Sequence, residues 1–251
     1  MPSVTVLLLQ YSLESLINGG MPARPGKMTH LMASSLRDLS FADMRAAMVD
    51  CQLRTNDVID PAIVGAFGRI ARERFVPAAL AALAYIDRPI ALGGDRRLNP
   101  PLVTARLLVA ADIVPGQRVL LVGAATGYAA VLLGELGARV VALESDAALA
   151  ARARIELAGR NILLAEGPLA AGAADYAPFD RIVIDGAIEL LPDALTNQLA
   201  DGGVLVTAIG DGPVTRLARG VKVGGAVVLR PFADMDAAVL PGFAREHGFT
   251  F

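Results

Sequence analysis

Short apolar runs alternate with helical patterns through the second half of the chain, and this alternation limits the possible folds more than any other feature. Runs typical of buried strands cover residues 118–122, 139–143, 162–165, 181–184 and 203–208. Helical patterns lie between several of these runs, at residues 128–136, 147–158 and 191–199. Strands that alternate with helices indicate βαβ units, and strands without polar alternation indicate a sheet covered on both faces. The sequence therefore predicts an α/β fold with a mostly parallel sheet.

Helix-start signals place the beginning of the folded part near Ser40. Ser40 and Asp43 form a capping-box pair, and Asp60-Pro61 combines a cap residue with proline at the first helical position. Residues 1–35 carry no periodic pattern and are expected to be a mobile leader. We expect a single domain at 36–251, with a helical section at 36–114, an α/β core at 115–232 and a tail at 233–251.

Three connecting segments are also predicted. Pro77 is expected to open an alanine-rich helix, and residues 91–101 are expected to form a loop rich in turn formers and charge. Within that loop, Asn99-Pro100 has the pattern of a helix cap and first turn. Helical patterns stop after Ile209, so residues 215–218 and 226–229 are expected to close the sheet edge as an antiparallel pair.

The composition narrows the possible functions. The formal net charge is −2, so no basic excess indicates nucleic acid or an anionic membrane as a partner. One cysteine, Cys51, excludes an internal disulfide and a multi-cysteine metal site, and only two histidines argue against a histidine metal site or triad. The sequence shows neither a basic secretory leader nor a long apolar span, which predicts a cytoplasmic protein without a metal. The oligomeric state does not follow from the sequence.

The turn between the first strand of the core and the following helix is Gly123-Ala-Ala-Thr-Gly127. Free N–H groups and the positive end of the helix dipole suit a helix N-terminus to binding a ligand. The spacing differs from the Gly-x-Gly-x-x-Gly of dinucleotide enzymes, and no Walker lysine and serine follow. The turn therefore indicates either a nucleoside cofactor site or a tight βα turn without a ligand.

Acids follow three of the predicted strands. Glu144, directly before Ser145, could accept two hydrogen bonds from a ribose diol or could stabilise the start of the next helix. Glu166, followed by Gly167, could reach an adenine amino group or be solvated, and Asp185 ends the next strand. Ligands bind at the carboxyl ends of strands in open α/β sheets, so these residues together favour the nucleoside cofactor.

Several motifs, in the same order along the chain, resemble those of the protein-L-isoaspartate O-methyltransferases, a family of Rossmann-like S-adenosylmethionine-dependent methyltransferases. The similarity covers residues 44–232 rather than the glycine turn alone. The similar segments are Arg72-Glu-Arg-Phe-Val-Pro77, Ala84-Tyr85, Pro89-Ile-Ala-Leu-Gly93, Pro101-Leu-Val-Thr-Ala105, Ala177-Pro-Phe-Asp180, Pro192-Asp-Ala-Leu195 and Gln198-Leu-Ala-Asp-Gly-Gly-Val-Leu-Val206.

The resemblance implies a Rossmann-like, doubly wound α/β fold with an antiparallel C-terminal edge and an N-terminal helical section. It also implies methyl transfer from S-adenosyl-L-methionine to the α-carboxyl of isoaspartyl residues in damaged proteins, so the implied partner is an isoaspartyl-containing protein or peptide. The implied cofactor-binding residues are Gly123, Ala124, Ala125, Thr126, Gly127, Tyr128, Glu144, Ser145, Glu166, Gly167 and Asp185. On the substrate side, the resemblance implies Asn99 as the carboxylate contact, with Arg96, Arg97 and Pro101 as further binding residues.

The chain departs from the family pattern at three places. Leu121 stands where the family usually has an acid, and Ala125 stands at its middle glycine. In the substrate-side loop, Arg97 and Asn99 stand at the threonine and serine positions of Gly-x-Thr-Ile-Ser-x-Pro. Asn99 could donate to a carboxylate or could cap the next helix. Two alternatives therefore stay open, namely a related methyltransferase with another substrate and a non-catalytic module that binds S-adenosylmethionine.

Overall fold

A mostly parallel sheet organises the chain, which confirms the predicted fold class. The computed structural model describes residues 40–211 and 214–245, so the expected leader at 1–35 lies outside the described residues. The strands are β1 (Ile90–Gly93), β2 (Arg96–Leu98), β3 (Arg118–Val122), β4 (Arg139–Glu144), β5 (Ile162–Glu166), β6 (Phe179–Ile188), β7 (Leu199–Asp211), β8 (Val214–Val223), β9 (Ala226–Val227) and β10 (Arg230–Asp234).

Among the described residues, the main sheet has eight strands and a separate hairpin has two. Seven strands of the main sheet follow the order β10-β8-β7-β6-β3-β4-β5, and β9 pairs with β8. The strands from β3 to β7 pair in parallel, whereas β8 pairs antiparallel with β7 and β10. The carboxyl ends of β3, β4, β5 and β6 therefore meet at one edge of the sheet, where the predicted glycine turn and acids lie.

Six α-helices connect and cover the strands in the described part of the chain. They are α1 (Phe41–Met48), α2 (Pro61–Arg69), α3 (Pro101–Ala111), α4 (Tyr128–Glu135), α5 (Ala147–Leu157) and α6 (Asp193–Gln198). The two predicted helix starts are confirmed. Ser40 and Asp43 cap each other reciprocally at α1, and the Asp60 carboxylate accepts from the N–H groups of Ala62 and Ile63 at α2.

Strand β3 shows how both faces of the sheet are covered. Val119 and Leu121 pack in the apolar cluster shared with α1 to α5, and Leu120 and Val122 pack in the cluster on the opposite face. All four side chains are fully buried. Leu121 thus stands in a dry interior, where an unpaired acid would be costly to desolvate. Its departure from the family pattern is consistent with tight packing under the turn.

Three connecting segments differ from the predictions. Ala78–Leu83 is a short 3-10 helix instead of an alanine-rich α-helix, because it is too short for stable nucleation and buries none of its side chains. The expected loop at 91–101 contains the β1–β2 hairpin, in which Gly93 and Gly94 adopt positive φ at the turn. Residues 215–218 of β8 pair with β7 and β10, whereas the short β9 pairs only with Lys222 and Val223. Within 40–211 and 214–245, no helix combines the length and apolar character that crossing a bilayer requires.

Candidate cofactor and substrate site

The glycine turn between β3 and α4 is held by hydrogen bonds to β4. The N–H groups of Gly123 and Ala124 both donate to the Leu143 carbonyl, each at 3.0 Å. Gly123 and Gly127 adopt φ values of +82° and +97°, a region that glycine enters without steric cost. Ala125 adopts φ +50° in the same turn, and this conformation is strained for an L-residue with a Cβ.

Thr126 and Tyr128 join the turn to the N-terminal helical section. The Thr126 hydroxyl donates to the Phe75 carbonyl at 2.6 Å. The fully buried Tyr128 ring packs edge-on against Phe67 and Phe75, and the Arg72 guanidinium lies 4.8 Å from the ring centroid. Burial raises the pKa of the Tyr128 hydroxyl. These two predicted cofactor residues therefore also fix the helical section against the sheet.

Glu144 ends β4 as a fully buried carboxylate surrounded by donors. Its Oε2 accepts from the Ala125 N–H at 2.7 Å, and its Oε1 accepts from the N–H groups of Ser145 and Asp146 at 2.8 and 2.9 Å. Arg96 completes the set with a bidentate contact, in which Nη1 donates to Oε1 and Nη2 donates to Oε2 at 2.9 Å. With the Ser145 hydroxyl, which donates to Oε1 at 3.4 Å, six donors point at a carboxylate that has about four lone-pair sites.

Glu166, Gly167 and Ser145 border Glu144 at the same edge. Glu166 pairs with Glu144 across β4 and β5, and its half-exposed carboxylate forms an ion pair with Arg154. The Gly167 N–H donates to the Glu144 carbonyl at 3.0 Å. The parallel register therefore brings the acids of two strands together, as the sequence predicts. Whether these residues contact an adenine ring stays a prediction.

Asp185 lies on the neighbouring strand β6 and accepts two side-chain hydrogen bonds. Its Oδ1 accepts from the Asn99 amide at 2.8 Å and from the Thr104 hydroxyl at 3.1 Å. Burial raises the pKa of Asp185, and the bonds from Asn99 and Thr104 oppose that rise only in part. Asp185 is therefore a buried acid that joins β6 to α3 and to the segment before it.

Asn99 is buried and forms internal hydrogen bonds with both its amide nitrogen and its amide oxygen. While its amide nitrogen donates to Asp185, its Oδ1 accepts from the Ala238 N–H at 2.7 Å. The interpretation of Asn99 as a helix cap is wrong, because Pro100 occupies the cap position of α3 and Pro101 is its buried first residue. The second N–H of its amide has no partner among the described residues, but the side chain is buried, so its predicted contact with a substrate carboxylate would require the substrate to reach the interior.

Arg72, which the resemblance placed only in a motif, is a fully buried cation of this site. Its Nε donates to the Ala84 carbonyl at 2.7 Å, and its Nη2 donates to the Asn99 carbonyl. Burial lowers the pKa of Arg72. No periodic signal in the sequence indicates that an arginine at this position would be buried, since the segment around it is short and irregular.

Arg96 and Arg97 point in opposite directions because side chains alternate along a strand. In β2, Arg96 and Leu98 are buried and Arg97 is exposed. Arg97 lies in a groove of about 360 Å³ between the hairpin and the tail, lined by Arg88, Pro89, Asp95, Arg97 and residues 236–239. A larger cavity of about 430 Å³ lies at the amino end of the strands, beside Gly116 and Arg139, and contains none of the predicted site residues.

The C-terminal tail packs directly on two glycines of the site. Ala187 donates its N–H to the Ala238 carbonyl at 2.7 Å and accepts from the Leu240 N–H at 2.9 Å, so the tail extends along β6. A Cβ on Gly186 would lie 2.5 Å from Leu240 Cγ, and a Cβ on Gly123 would lie 3.0 Å from both Leu240 methyl carbons. The packing of Leu240 therefore requires glycine at positions 123 and 186. The sequence pattern of the tail does not indicate this contact.

Solved structures with the same arrangement define the class of fold. A protein-L-isoaspartate O-methyltransferase superposes with a TM-score of 0.69 at 21% identity, covering 79% of this chain and 66% of that chain. A second such protein, from Plasmodium falciparum and in complex with S-adenosyl-L-homocysteine, superposes with a TM-score of 0.65 at 18% identity, covering 78% of this chain and 97% of that chain. The fold is that of the Rossmann-like methyltransferases.

Sequence comparison then gives the family. The family model of protein-L-isoaspartate(D-aspartate) O-methyltransferase (PCMT) matches residues 44–235. The protein-L-isoaspartate O-methyltransferase of Methylorubrum populi is 45% identical over 66% of this chain and 79% of its own length. The corresponding protein of Koribacter versatilis is 42% identical over 71% of this chain and 82% of its own length. The chain belongs to the PCMT family.

The family implies S-adenosylmethionine as the cofactor. The glycine turn and Glu144 differ in how well they fit that group. The glycine turn fits it, because small residues at positive φ allow a close approach to the backbone. The Glu144 carboxylate does not fit it in the observed arrangement, because six protein donors use its acceptor sites. A ribose diol would have to displace one of those donors.

Proposed function

We propose that the chain is an S-adenosylmethionine-dependent protein carboxyl methyltransferase that methylates the α-carboxyl of isoaspartyl residues in damaged proteins or peptides. The match of the PCMT family model to residues 44–235 carries this proposal. Relatives that share 36–45% identity and bear the name protein-L-isoaspartate O-methyltransferase support it. The cytoplasmic location and the absence of nucleic acid and membrane partners stay predictions from the sequence.

The cofactor would be held at the carboxyl edge of the sheet. The turn from Gly123 to Tyr128 would approach its methionyl and ribose part, Glu144 and Ser145 its ribose, and Glu166 and Gly167 its adenine, with Asp185 nearby. S-adenosylmethionine supplies a methyl group on a sulfonium, which is a good leaving group. A carboxylate is already a nucleophile at neutral pH. The protein therefore needs no general base and contributes mainly by positioning and by excluding water.

Arg97 is the best-placed residue for holding the substrate carboxylate. Its side chain is exposed on the groove, and among the described residues it forms no ion pair. Arg88 lines the same groove and adds a second guanidinium. A planar guanidinium suits bidentate binding of a carboxylate. Asn99 and Arg96, by contrast, are bound to Asp185 and Glu144, so in this arrangement Arg97 takes the primary contact and Pro101 only shapes the wall.

The test is methyl transfer to a pair of peptides that differ only in having an isoaspartyl or an aspartyl linkage. We expect a base-labile methyl ester on the isoaspartyl peptide alone. Arg97→Met should raise KM for that peptide by more than about tenfold, the scale of losing a hydrogen bond to a charged group. Arg139→Met removes the same charge at the opposite edge of the sheet and should leave KM unchanged.

A related methyltransferase with another substrate is the second candidate. The observation that favours it is the burial of the Asn99 side chain in bonds with Asp185 and Ala238, since the family has a serine at this position. If S-adenosylhomocysteine binds but the two peptides are methylated equally or not at all, this candidate replaces the first. Turnover of any protein substrate excludes the non-catalytic module.

A further inference from the structure

Arg96 binds the Glu144 carboxylate, to which the ribose of the cofactor would bind. Its two terminal nitrogens bind both oxygens of Glu144, and both side chains are buried. The remaining acceptor sites of Glu144 are used by backbone N–H groups of the turn and of the start of α5, and by a long bond of 3.4 Å from the Ser145 hydroxyl. The backbone donors cannot leave without unfolding the turn. Of the two side-chain donors that a ribose could displace, only Arg96 covers both carboxylate oxygens.

Glu144 keeps hydrogen-bond donors when Arg96 leaves. Without the arginine, its carboxylate would keep three backbone hydrogen bonds, from Ala125, Ser145 and Asp146. A carboxylate that accepts several N–H groups at a helix start is partly stabilised by them. Loss of the ion pair would therefore lower the stability of the protein but leave Glu144 held in place.

Arg96 itself is bound incompletely. Its Nε is buried and has no hydrogen-bond partner among the described residues. An unsatisfied buried donor costs about 1–3 kcal/mol, and this cost would be relieved if the guanidinium moved toward solvent. The observed position of Arg96 is therefore a compromise that a competing ligand can shift.

The hairpin that carries Arg96 packs on the main sheet, but its turn is exposed. Strands β1 and β2 form a separate two-stranded sheet that is not hydrogen-bonded to the other strands. Ile90, Leu92 and Leu98 are nevertheless buried in the main core cluster, so packing holds the strands in place. Arg96 directly follows the exposed turn at residues 93–95, so its side chain can turn toward solvent without opening the strands.

We propose that Arg96 is an internal competitor of the cofactor: it closes the ribose subsite by binding Glu144, and cofactor binding displaces its guanidinium. This inference rests on the proposed function only for the use of Glu144 by a ribose. The apparent affinity for the cofactor is then lower than the intrinsic affinity by the fraction of molecules in which Arg96 has left Glu144.

The test is calorimetric titration of the full chain with S-adenosylhomocysteine. Arg96→Met removes the competing donors at similar volume and should tighten binding by at least about tenfold, because the closed state is lost. Arg96→Lys cannot make the bidentate contact and should fall between Arg96→Met and wild type. Arg139→Met removes the same charge from an exposed position at the opposite edge of the sheet and should change the affinity by less than about twofold.

Equal or weaker binding by Arg96→Met overturns the proposal, as does the absence of binding by both wild type and variant. If Arg96→Met does not fold, the same titration of Arg96→Lys, which keeps the charge but loses the bidentate contact, decides. We expect Arg96→Lys to bind S-adenosylhomocysteine more tightly than wild type does; equal or weaker binding would be the contrary result. Both measurements omit the methyl acceptor, so failure of isoaspartyl methylation would not affect them.

Discussion

Asp185 is a residue whose burial has a measurable cost. Its carboxylate sits at the carboxyl edge of β6 with hydrogen bonds from Asn99 and Thr104, and burial still raises its pKa above the usual 3.8. The folded protein therefore holds the Asp185 proton more tightly than the unfolded chain does. From pH 3.8 upward, through the raised pKa of the folded state, the contribution of Asp185 to stability falls as the pH rises.

Asp185→Asn should remove this contribution while keeping a side-chain oxygen that can accept hydrogen bonds. The free energy of unfolding of the variant should therefore increase relative to that of wild type as the pH rises from about 4 to 8. Urea denaturation at several pH values measures the difference. The exposed Asp201→Asn is the matched control and should follow wild type at every pH. Parallel curves for Asp185→Asn and wild type would show that burial does not hold the proton.

At the scale of elements, the contact of the tail with β6 depends on Gly186. Its φ is not positive, so only space requires a glycine here. A Cβ would lie 2.5 Å from Leu240 Cγ and 2.7 Å from the Ala238 carbonyl oxygen. Because the carbonyl belongs to the backbone, the tail itself would have to move away from the strand.

Gly186→Ala should therefore destabilise the protein by about 1–3 kcal/mol, the usual cost of overpacking. Gly68→Ala is the matched control: it lies in α2 with no atom within 4 Å of a new Cβ, and it should stabilise the protein. The expected gain is about 0.5–1 kcal/mol from helix propensity. Urea denaturation measures both. A Gly186→Ala variant as stable as wild type would mean that the tail does not pack on this strand.

The types of the secondary-structure elements could be predicted from local sequence patterns. The directions of individual side chains depend on how the neighbouring residues fold. The strand β3 and the caps at Ser40 and Asp60 match the prediction, because apolar runs and capping residues act within a few positions. Arg96 and Arg97 were predicted to serve one site. The hairpin, which was expected to be a loop, separates them by turning one side chain inward and the next outward.

The contacts that complete the site join distant parts of the chain. Arg96 and Glu144 are 48 residues apart, and Asn99 and Ala238 are 139 residues apart. No local pattern reports such pairs, so Arg72, Thr104, Ala238 and Leu240 could not be identified before the fold was known. The fold class and the edge that carries the site, in contrast, followed from the alternation of strands and helices and from the acids at strand ends.

At the scale of the whole molecule, a ligand that binds only the folded state should stabilise the protein. At a free concentration of about 100 times Kd, S-adenosylhomocysteine should add about 2.7 kcal/mol to the free energy of unfolding. For a domain of this size, that corresponds to a rise in Tm of about 5–10 °C. Thermal unfolding with and without the ligand measures the shift, and free methionine at the same concentration should give none. An unchanged Tm at saturating ligand would contradict binding to the folded state.

The packing of Leu240 on Gly123 and Gly186 has a consequence for how the sequence can vary among relatives. Three positions far apart in the chain share one small space, so a change at one of them constrains what the others can accept. Among relatives, a residue with a Cβ at position 186 should be accompanied by a smaller side chain at position 240 or by a tail that takes another path. These positions are expected to covary as a group. The residue at position 240 of the tail should therefore distinguish groups of relatives as well as the glycine turn does.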